Sequence, residues 1–435
     1  MSDQIVRAPD RIPGRRWRIA WLLGLGVLVN YFDRVNLSVS YESLYASFGI
    51  STVVFGYLSS FYNWPYAACQ LPIGVVLDKF GVRRVGRVST FLWSIASFFA
   101  SIAPGVSWLF GARFLLGIGE SPTFPANAKA IGHWFPARER SFPTAIFDAA
   151  AKFSSAIGVP LLGVVLLAIG WRWSFALTGL ISLAYFVIFW LIYREPHEDP
   201  HLTAAELAHI ESHDAAHPPS DATHSLPLLQ LLKRRKVLGI AIGFGSYNYV
   251  FYLLLTWLPT YLNLALHIDM LHSFLYTGVP WLVATAGDLV VGGWLVDYLI
   301  RRGANPNRVR KTVLISGMAC GLGIFGAAHP HSPTEALLWI SLSIGGLSAA
   351  APVGWSVPSL IARRPDVGKV GGIMNFSNQI SGISAPIITG YVVHAYHSFA
   401  LAFVIPAVYL LIGITAYFVL LGPIEQMDAP APGVG

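Results

Sequence analysis

Seven ionisable side chains stand inside long apolar runs of this sequence: Asp33 and Arg34, Arg113 and Glu120, Asp148 and Lys152, and Asp288. Placing one charge in a bilayer-length apolar helix costs about 2.5–3.5 kcal/mol, so each marks a place where charge is used. Arg113 and Glu120 are seven residues apart, two helical turns, and so share one face at different depths. Asp148 and Lys152 are four apart and can pair directly. The first six residues are three acids and three bases, formally neutral, which a low-dielectric site tolerates only if they pair. Protonating one acid would leave the set at +1 and free a base, and an organic monoanion could then restore neutrality. Proton and anion would bind cooperatively. Asp288 reads equally as a second titrating site or as a polar contact between helices. Lys129, near the end of its run, can snorkel to the surface.

The elements that must position these groups are membrane helices. The apolar set makes up 54% of the 435 residues and charged residues only 12%, with mean hydropathy +0.57. Soluble domains carry about 25% charge, so a soluble enzyme, a disordered chain and a coiled coil are excluded together. Twelve apolar runs are long enough to span: 17–40, 52–77, 86–104, 107–131, 142–168, 173–193, 237–262, 272–296, 312–329, 334–361, 370–394 and 399–422. The first is too long for a signal peptide and contains Asp33 and Arg34, so it reads as a retained helix. Of the 29 Lys and Arg residues, 24 fall in the N-tail and alternate connections; only Arg172 falls in the others. That asymmetry predicts both termini and the long central loop on the cytoplasmic side, and explains the net charge of +7 without nucleic acid. Cys69 and Cys320 lie in apolar runs and read as small core residues.

The chain divides into a cytoplasmic N-tail (1–16), a six-helix bundle (17–193), a cytoplasmic central loop (194–236), a second six-helix bundle (237–422) and a cytoplasmic C-tail (423–435). The bundles share a pattern. Gly74-x-x-x-Asp78-Lys79-x-Gly81-x-Arg83-Arg84 is echoed by Gly293-x-x-x-Asp297, then Gly303 and the cluster Arg308, Arg310, Lys311. The two aspartates are 219 residues apart, about half the chain, which points to duplication. Parallel six-plus-six repeats with a site near the midplane describe one class of secondary transporter. A carboxylate beside helix ends and arginines can latch the cytoplasmic faces, and breaking the latch permits rocking.

The second bundle offers neutral groups suited to a polyhydroxylated ligand: Tyr247, Asn248, Tyr252, Trp355, Ser356, Asn375, Asn378 and Gln379. Such groups also serve as glue between helices. In the first, Tyr62, Asn63 and Trp64 precede Pro65, where a kink is expected. His209, His213 and His217, spaced by four on a helix expected over Leu202 to His213, form a possible metal face. Without a cysteine or further ligand cluster they read as a solvated amphipathic segment, so no metal is expected.

Three motifs carry a resemblance. Tyr31-Phe32-Asp33-Arg34-x-Asn36-Leu37, the 74–84 motif, and Arg113-x-x-x-Gly117-x-Gly119-Glu120-x-x-x-Phe124-Pro125-x-Asn127 resemble the major facilitator superfamily. More narrowly they resemble its anion:cation symporter branch, with its galactonate, hexuronate and glucarate permeases and its sialic acid and vesicular glutamate carriers. The likeness spans the chain, including Trp134-Phe135-Pro136, Glu139-Arg140 and Gly371-Gly372 with Asn375-Phe376. It implies alternating access driven by a proton gradient, without a cofactor, in a monomer of the cell inner membrane. Its partners would be a small organic anion, protons and the lipid bilayer. By the matches, Asp33 and Glu120 would carry protons, and Arg34 and Arg113 would pair with them or with substrate carboxylate. Tyr31, Asn127, Trp355, Ser356 and Asn375 would lie near the ligand, with Lys152 a further candidate; Gly74, Asp78, Gly81, Arg83, Arg84 and Asp297 would form the gating motif. The sequence departs from the pattern at Asp148 and Lys152, where galactonate-type members are neutral, which leaves a dicarboxylate or aromatic acid open. It also lacks the helix 7 arginine of the glutamate carriers.

Rival readings are weaker. Gly158-x-Pro160 faintly resembles an element of drug/proton antiporters, but paired arginines favour anions. No Ser/His/Asp set, zinc cluster or phosphate-binding loop occurs in the aqueous segments, so an enzyme is not expected. A transporter-like sensor would need a larger signalling domain than the central loop.

Overall fold

The computed structural model describes residues 14–136, 139–211, 226–363 and 366–427. In chain order come α1 (Arg15–Val39), α2 (Tyr41–Phe48), α3 (Thr52–Phe61), α4 (Asn63–Ser101), α5 (Val106–Glu120), α6 (Thr123–Trp134), α7 (Ser141–Ile169) and α8 (Trp171–Ile192). Two short helices, α9 (Ala204–Glu211) and α10 (Leu228–Leu232), lead to α11 (Arg235–Leu264). Then α12 (Met270–Ala286) continues through a π-helical stretch, Gly287–Leu295, into α13 (Val296–Arg301). The chain ends with α14 (Pro306–Gly321), a 3-10 turn Leu322–Ala328, α15 (Pro333–Ile361), α16 (Val367–Tyr396) and α17 (Ala400–Ala416). No strand occurs among the described residues.

Seven of the described helical spans are long and apolar enough to cross a membrane, or eight if α2 with Thr52–Gln70, bent by 117°, counts as one. Local chemistry sets several starts. Ser51, Asp269, Asn305 and Ser332 each accept a hydrogen bond from a backbone N–H three residues on. Pro306 and Pro333 follow at the first helical position, where proline loses no hydrogen bond.

The helices depart from the apolar runs at specific residues. The 107–131 run is not one helix; it breaks at Ser121 and Pro122, directly after Glu120. The expected kink before Pro65 falls at Tyr62, where proline's clash with the preceding turn ends α3. Trp64 does not accompany Tyr62 and Asn63 inward: it is 49% exposed, while they are buried. The connection at 78–86 is helical except at Gly81, whose φ of 76° a side chain would resist. Gly303, its counterpart in the second repeat, also has positive φ, 92°. Helix α9 covers Ala204–Glu211 of the helix expected over Leu202 to His213, and His213, His217, Arg138 and Arg364 lie outside the described residues.

Helices before residue 193 pack mainly on one another, as do those after 235, and the two sets meet through α7 on α12, α3 on α16 and α1 on α11. Small residues allow the approach. A Cβ on Gly56 would stand 2.5 Å from the Pro386 carbonyl oxygen, and one on Gly278 would stand 2.7 Å from that of Ala156. These contacts, with Thr52 donating to Gly390 and Asn63 to Gly382, gather toward the end of the molecule opposite Arg83 and Arg84. Deeper toward the basic end stand Lys152 with Asp288, and Asn375 donating to Gln70 at 3.1 Å.

Candidate functional site

Two buried charge clusters lie where these helices meet. In the first, α1 carries Arg34 and α5 ends on Glu120. Arg34 Nε donates to Glu120 Oε2 at 3.1 Å, and the Tyr62 hydroxyl donates to the same oxygen at 2.7 Å. The break of the helix at Ser121 leaves Glu120 at a helix end, its carboxylate fully buried. Three tyrosine rings cage the guanidinium: its carbon stands 4.4, 4.8 and 5.5 Å from the ring centres of Tyr31, Tyr62 and Tyr66. Arg113, two turns before Glu120, also stands over the Tyr62 ring at 5.2 Å, and among the described residues its guanidinium donates to a backbone oxygen, that of Asp33, at 3.5 Å.

Asp33 is held differently. Its two carboxylate oxygens accept from Ser97 at 2.5 Å and Ser182 at 2.8 Å, so α1, α4 and α8 converge on one carboxylate that no cation among the described residues pairs directly. Three polar atoms of the first cluster have no hydrogen-bond partner among the described residues: Arg34 Nη2, Arg113 Nε and Glu120 Oε1. Arg34 and Arg113 line a cavity of about 20 Å³, room for a single water, closed by Ser59, Asn63, Tyr252 and Thr256. Buried donors without partners are rare, and two on guanidinium groups facing one space mark an acceptor site.

The second cluster spans the two sets of helices. Lys152 Nζ stands 2.7 Å from Asp148, one turn earlier on α7, and 2.6 Å from Asp288 at the start of the π-helical stretch. The expected Asp148–Lys152 pair is present, with Asp288 added to it. Lys152 is thus committed to two carboxylates.

The remaining expected residues spread toward the basic end. Asn127 is buried with its Nδ2 unpartnered among the described residues. Trp355 is 41% exposed and packs edge-on against Phe244 at 5.0 Å; Ser356 donates to the Val353 carbonyl. Asn375 joins the two sets of helices through Gln70, which the sequence reading did not single out. Nor did that reading mark Tyr66, Ser97 or Ser182. Serine and tyrosine are common in membrane helices, so only the fold distinguishes those aimed at a charge.

The gating motif makes local rather than bridging contacts. Lys129 reaches the exposed Asp78 at 2.6 Å, and Arg83 takes Glu198 at 2.6 Å. These residues, with Arg84, line a cavity of about 910 Å³ at the basic end. Asp78 therefore latches α4 to α6 rather than one bundle to the other, and Asp297 is exposed with no such partner among the described residues. Near the same end, Arg16 and the first backbone N–H groups of α1 hold Glu206 of α9, and His209 pairs with Glu139 at 2.8 Å. No cluster of metal-ligating side chains occurs among the described residues.

Residues 23–333 match the Major Facilitator Superfamily. Among curated proteins, the chain is 37% identical to "Uncharacterized transporter YybO" of Bacillus subtilis (strain 168), covering 98% of both chains. It is 33% identical to "Probable galactarate/D-glucarate transporter GarP" of Escherichia coli (strain K12), covering 95% of this chain and 96% of the relative. Among solved structures, a D-xylose-proton symporter superposes with a TM-score of 0.74 at 16% identity, over 95% of this chain and 99% of its own. That likeness speaks to the fold alone.

Proposed function

The chain belongs to the major facilitator superfamily and is a multi-pass membrane transporter, not an enzyme, and on that premise we propose that it is a proton-coupled symporter of a sugar acid. The observation that carries this reading is the pair of buried guanidiniums, Arg34 and Arg113, with Glu120 on Arg34, Asp33 beside Arg113, and unused N–H donors on both. With both carboxylates ionised the site is neutral, and a proton on either leaves it one anion short. A substrate carboxylate supplies it, bound by two charge-assisted donors. Glu120 competes for Arg34, so a proton on Glu120 frees that guanidinium for substrate, and loss of the proton recaptures it. Asp33, beside the Arg113 contact, is the second proton carrier.

In this reading twelve spans form two six-helix bundles in the cell inner membrane, with both termini cytoplasmic. The close packing at the end opposite Arg83 and Arg84 makes this an inward-facing arrangement. The anion enters toward Arg34 and Arg113 past Tyr31, Asn127, Trp355, Ser356 and Asn375, and the bundles rock to alternate access. The 74–84 motif and Asp297 govern that rocking at the cytoplasmic face. The protein works as a monomer on the proton gradient, without cofactor, metal or nucleic acid. The relatives' names support sugar acids such as galactonate, hexuronate or glucarate; a dicarboxylate or aromatic acid is the second reading, favoured by the extra charged residues on α7.

Purified protein in liposomes loaded with a pH dye tests this. Galactonate, glucuronate, glucarate, tartrate, an aromatic acid and neutral galactose are added in turn. One or two anions are expected to acidify the lumen while galactose does not. Silence across the panel from folded protein would overturn the sugar-acid reading and shift weight to antiport.

A further inference from the structure

The Arg34–Arg113 anion site makes no use of the Asp148–Lys152–Asp288 triad, a deeply buried set of charges that joins the two sets of helices. Lys152 and Asp288 have side-chain exposures of 3% and 1%, and Asp148 15%. Two carboxylates share one ammonium, leaving a unit of negative charge in a low-dielectric interior, where two ionised carboxylates at one site repel strongly. The site is one positive charge short, and the smallest species that supplies it is a proton. We infer that Asp148, Lys152 and Asp288 form a further proton-binding site, filled and emptied in each transport cycle, separate from Glu120 and Asp33. Its role in transport rests on the symport reading above; proton binding itself does not.

Three features support this. Asp288 lies in the first turn of the π-helical stretch, a wide turn that occurs often at functional sites. Asp148 is the member that reaches solvent, so a proton arriving from the open end meets it first and Asp288 through it. Lys152 and Asp148 belong to one helix and stay paired whatever the bundles do, whereas Asp288 belongs to the other bundle. Movement of α12 along α7 alters how Asp288 meets Lys152 and Asp148, so occupancy by a proton and the relative position of the bundles are linked. The other titratable groups within electrostatic reach are Tyr247 on α11 and Tyr31 on α1. Helix α15 packs against the π-helical stretch through Gly345 and Ala349, and its one ionisable residue, Glu335, lies in its first turn. Tyr31 also stacks on Arg34, so the triad and the anion site share a neighbour.

Asp288→Asn tests the inference because it leaves a neutral Asp148–Lys152 pair instead of a stranded charge; Asp148→Asn does the same from the other side. Protons taken up by the purified protein on an acid step are counted with a pH dye in weakly buffered detergent. Each variant is expected to bind one proton fewer than wild type. In liposomes, each is expected to move the anion with one proton fewer per anion. Equal proton counts in detergent for both variants would overturn the site whatever the protein transports. Unequal counts there with unchanged protons per anion would overturn its place in the cycle. Failure of wild-type protein to acidify liposomes with any anion would strike the symport reading instead, and the detergent count would still decide the site.

Discussion

The Arg34–Glu120 cluster and the Asp148–Lys152–Asp288 triad use the same kinds of side chain in different proportion. The first sets two guanidiniums against Glu120 and the neighbouring Asp33 among the first set of helices. The second sets two carboxylates against one ammonium across both bundles. The first retains unpartnered donors around a water-sized cavity, whereas the ammonium of the second is held on both sides. A buried site with spare donors, left positive when one of its carboxylates takes a proton, suits an anion. A buried site with excess negative charge and no room suits a proton. The same desolvation penalty thus produces two different affinities, decided by the sign of what is missing.

The largest expected effect breaks the triad. Lys152→Met leaves two buried carboxylates without a cation, and removing one partner of a buried pair costs about 3–5 kcal/mol. Thermal unfolding in detergent should show a marked loss, partly recovered when Asp288→Asn is added. A stable Lys152→Met protein would mean that the triad is hydrated rather than buried. Arg113→Ala is expected to act on the other cluster and on affinity instead. Its guanidinium makes only one long hydrogen bond to protein, so stability should change little. Anion affinity, by contrast, should fall about 100-fold, at ~1.4 kcal/mol per decade. Unaltered affinity would assign the substrate carboxylate to Arg34 alone. Smaller still is Tyr62→Phe, which deletes one hydrogen bond to the Glu120 carboxylate. A hydrogen bond to a charged group contributes about 1.5–3 kcal/mol, so a change of ten-fold or more in the proton dependence of uptake is expected. No change would place the coupling elsewhere.

Much of this was legible in the sequence, because charge in an apolar run is conspicuous. Arg34, Glu120, Arg113 and the i,i+4 pair Asp148–Lys152 stood out by type and spacing alone. What spacing could not give was who faces whom across helices. Arg113 and Glu120 share a helix face, yet Glu120 turns to Arg34 of another helix, and Asp33 turns to two serines. Asp288 could not be assigned from its own helix because its partner lies 136 residues earlier. The breaks at Tyr62 and Ser121 were half legible. Proline marked the neighbourhood of each, but a hydropathy run through Glu120 hides a helix end that only backbone geometry reveals. The latch expected between the cytoplasmic faces is a local one in this arrangement, since Lys129 of α6, packed beside α4, takes Asp78.

The central claim is that Glu120 links proton to anion through Arg34. Glu120→Gln tests it most directly, because the amide oxygen can still accept from Arg34 and Tyr62 while the titratable charge is gone. Liposomes carrying this variant are compared with wild type in two assays, net uptake driven by a pH gradient and exchange of labelled for unlabelled anion across the membrane. The account predicts that gradient-driven uptake falls to background while exchange persists. Net uptake surviving with unchanged pH dependence would contradict it.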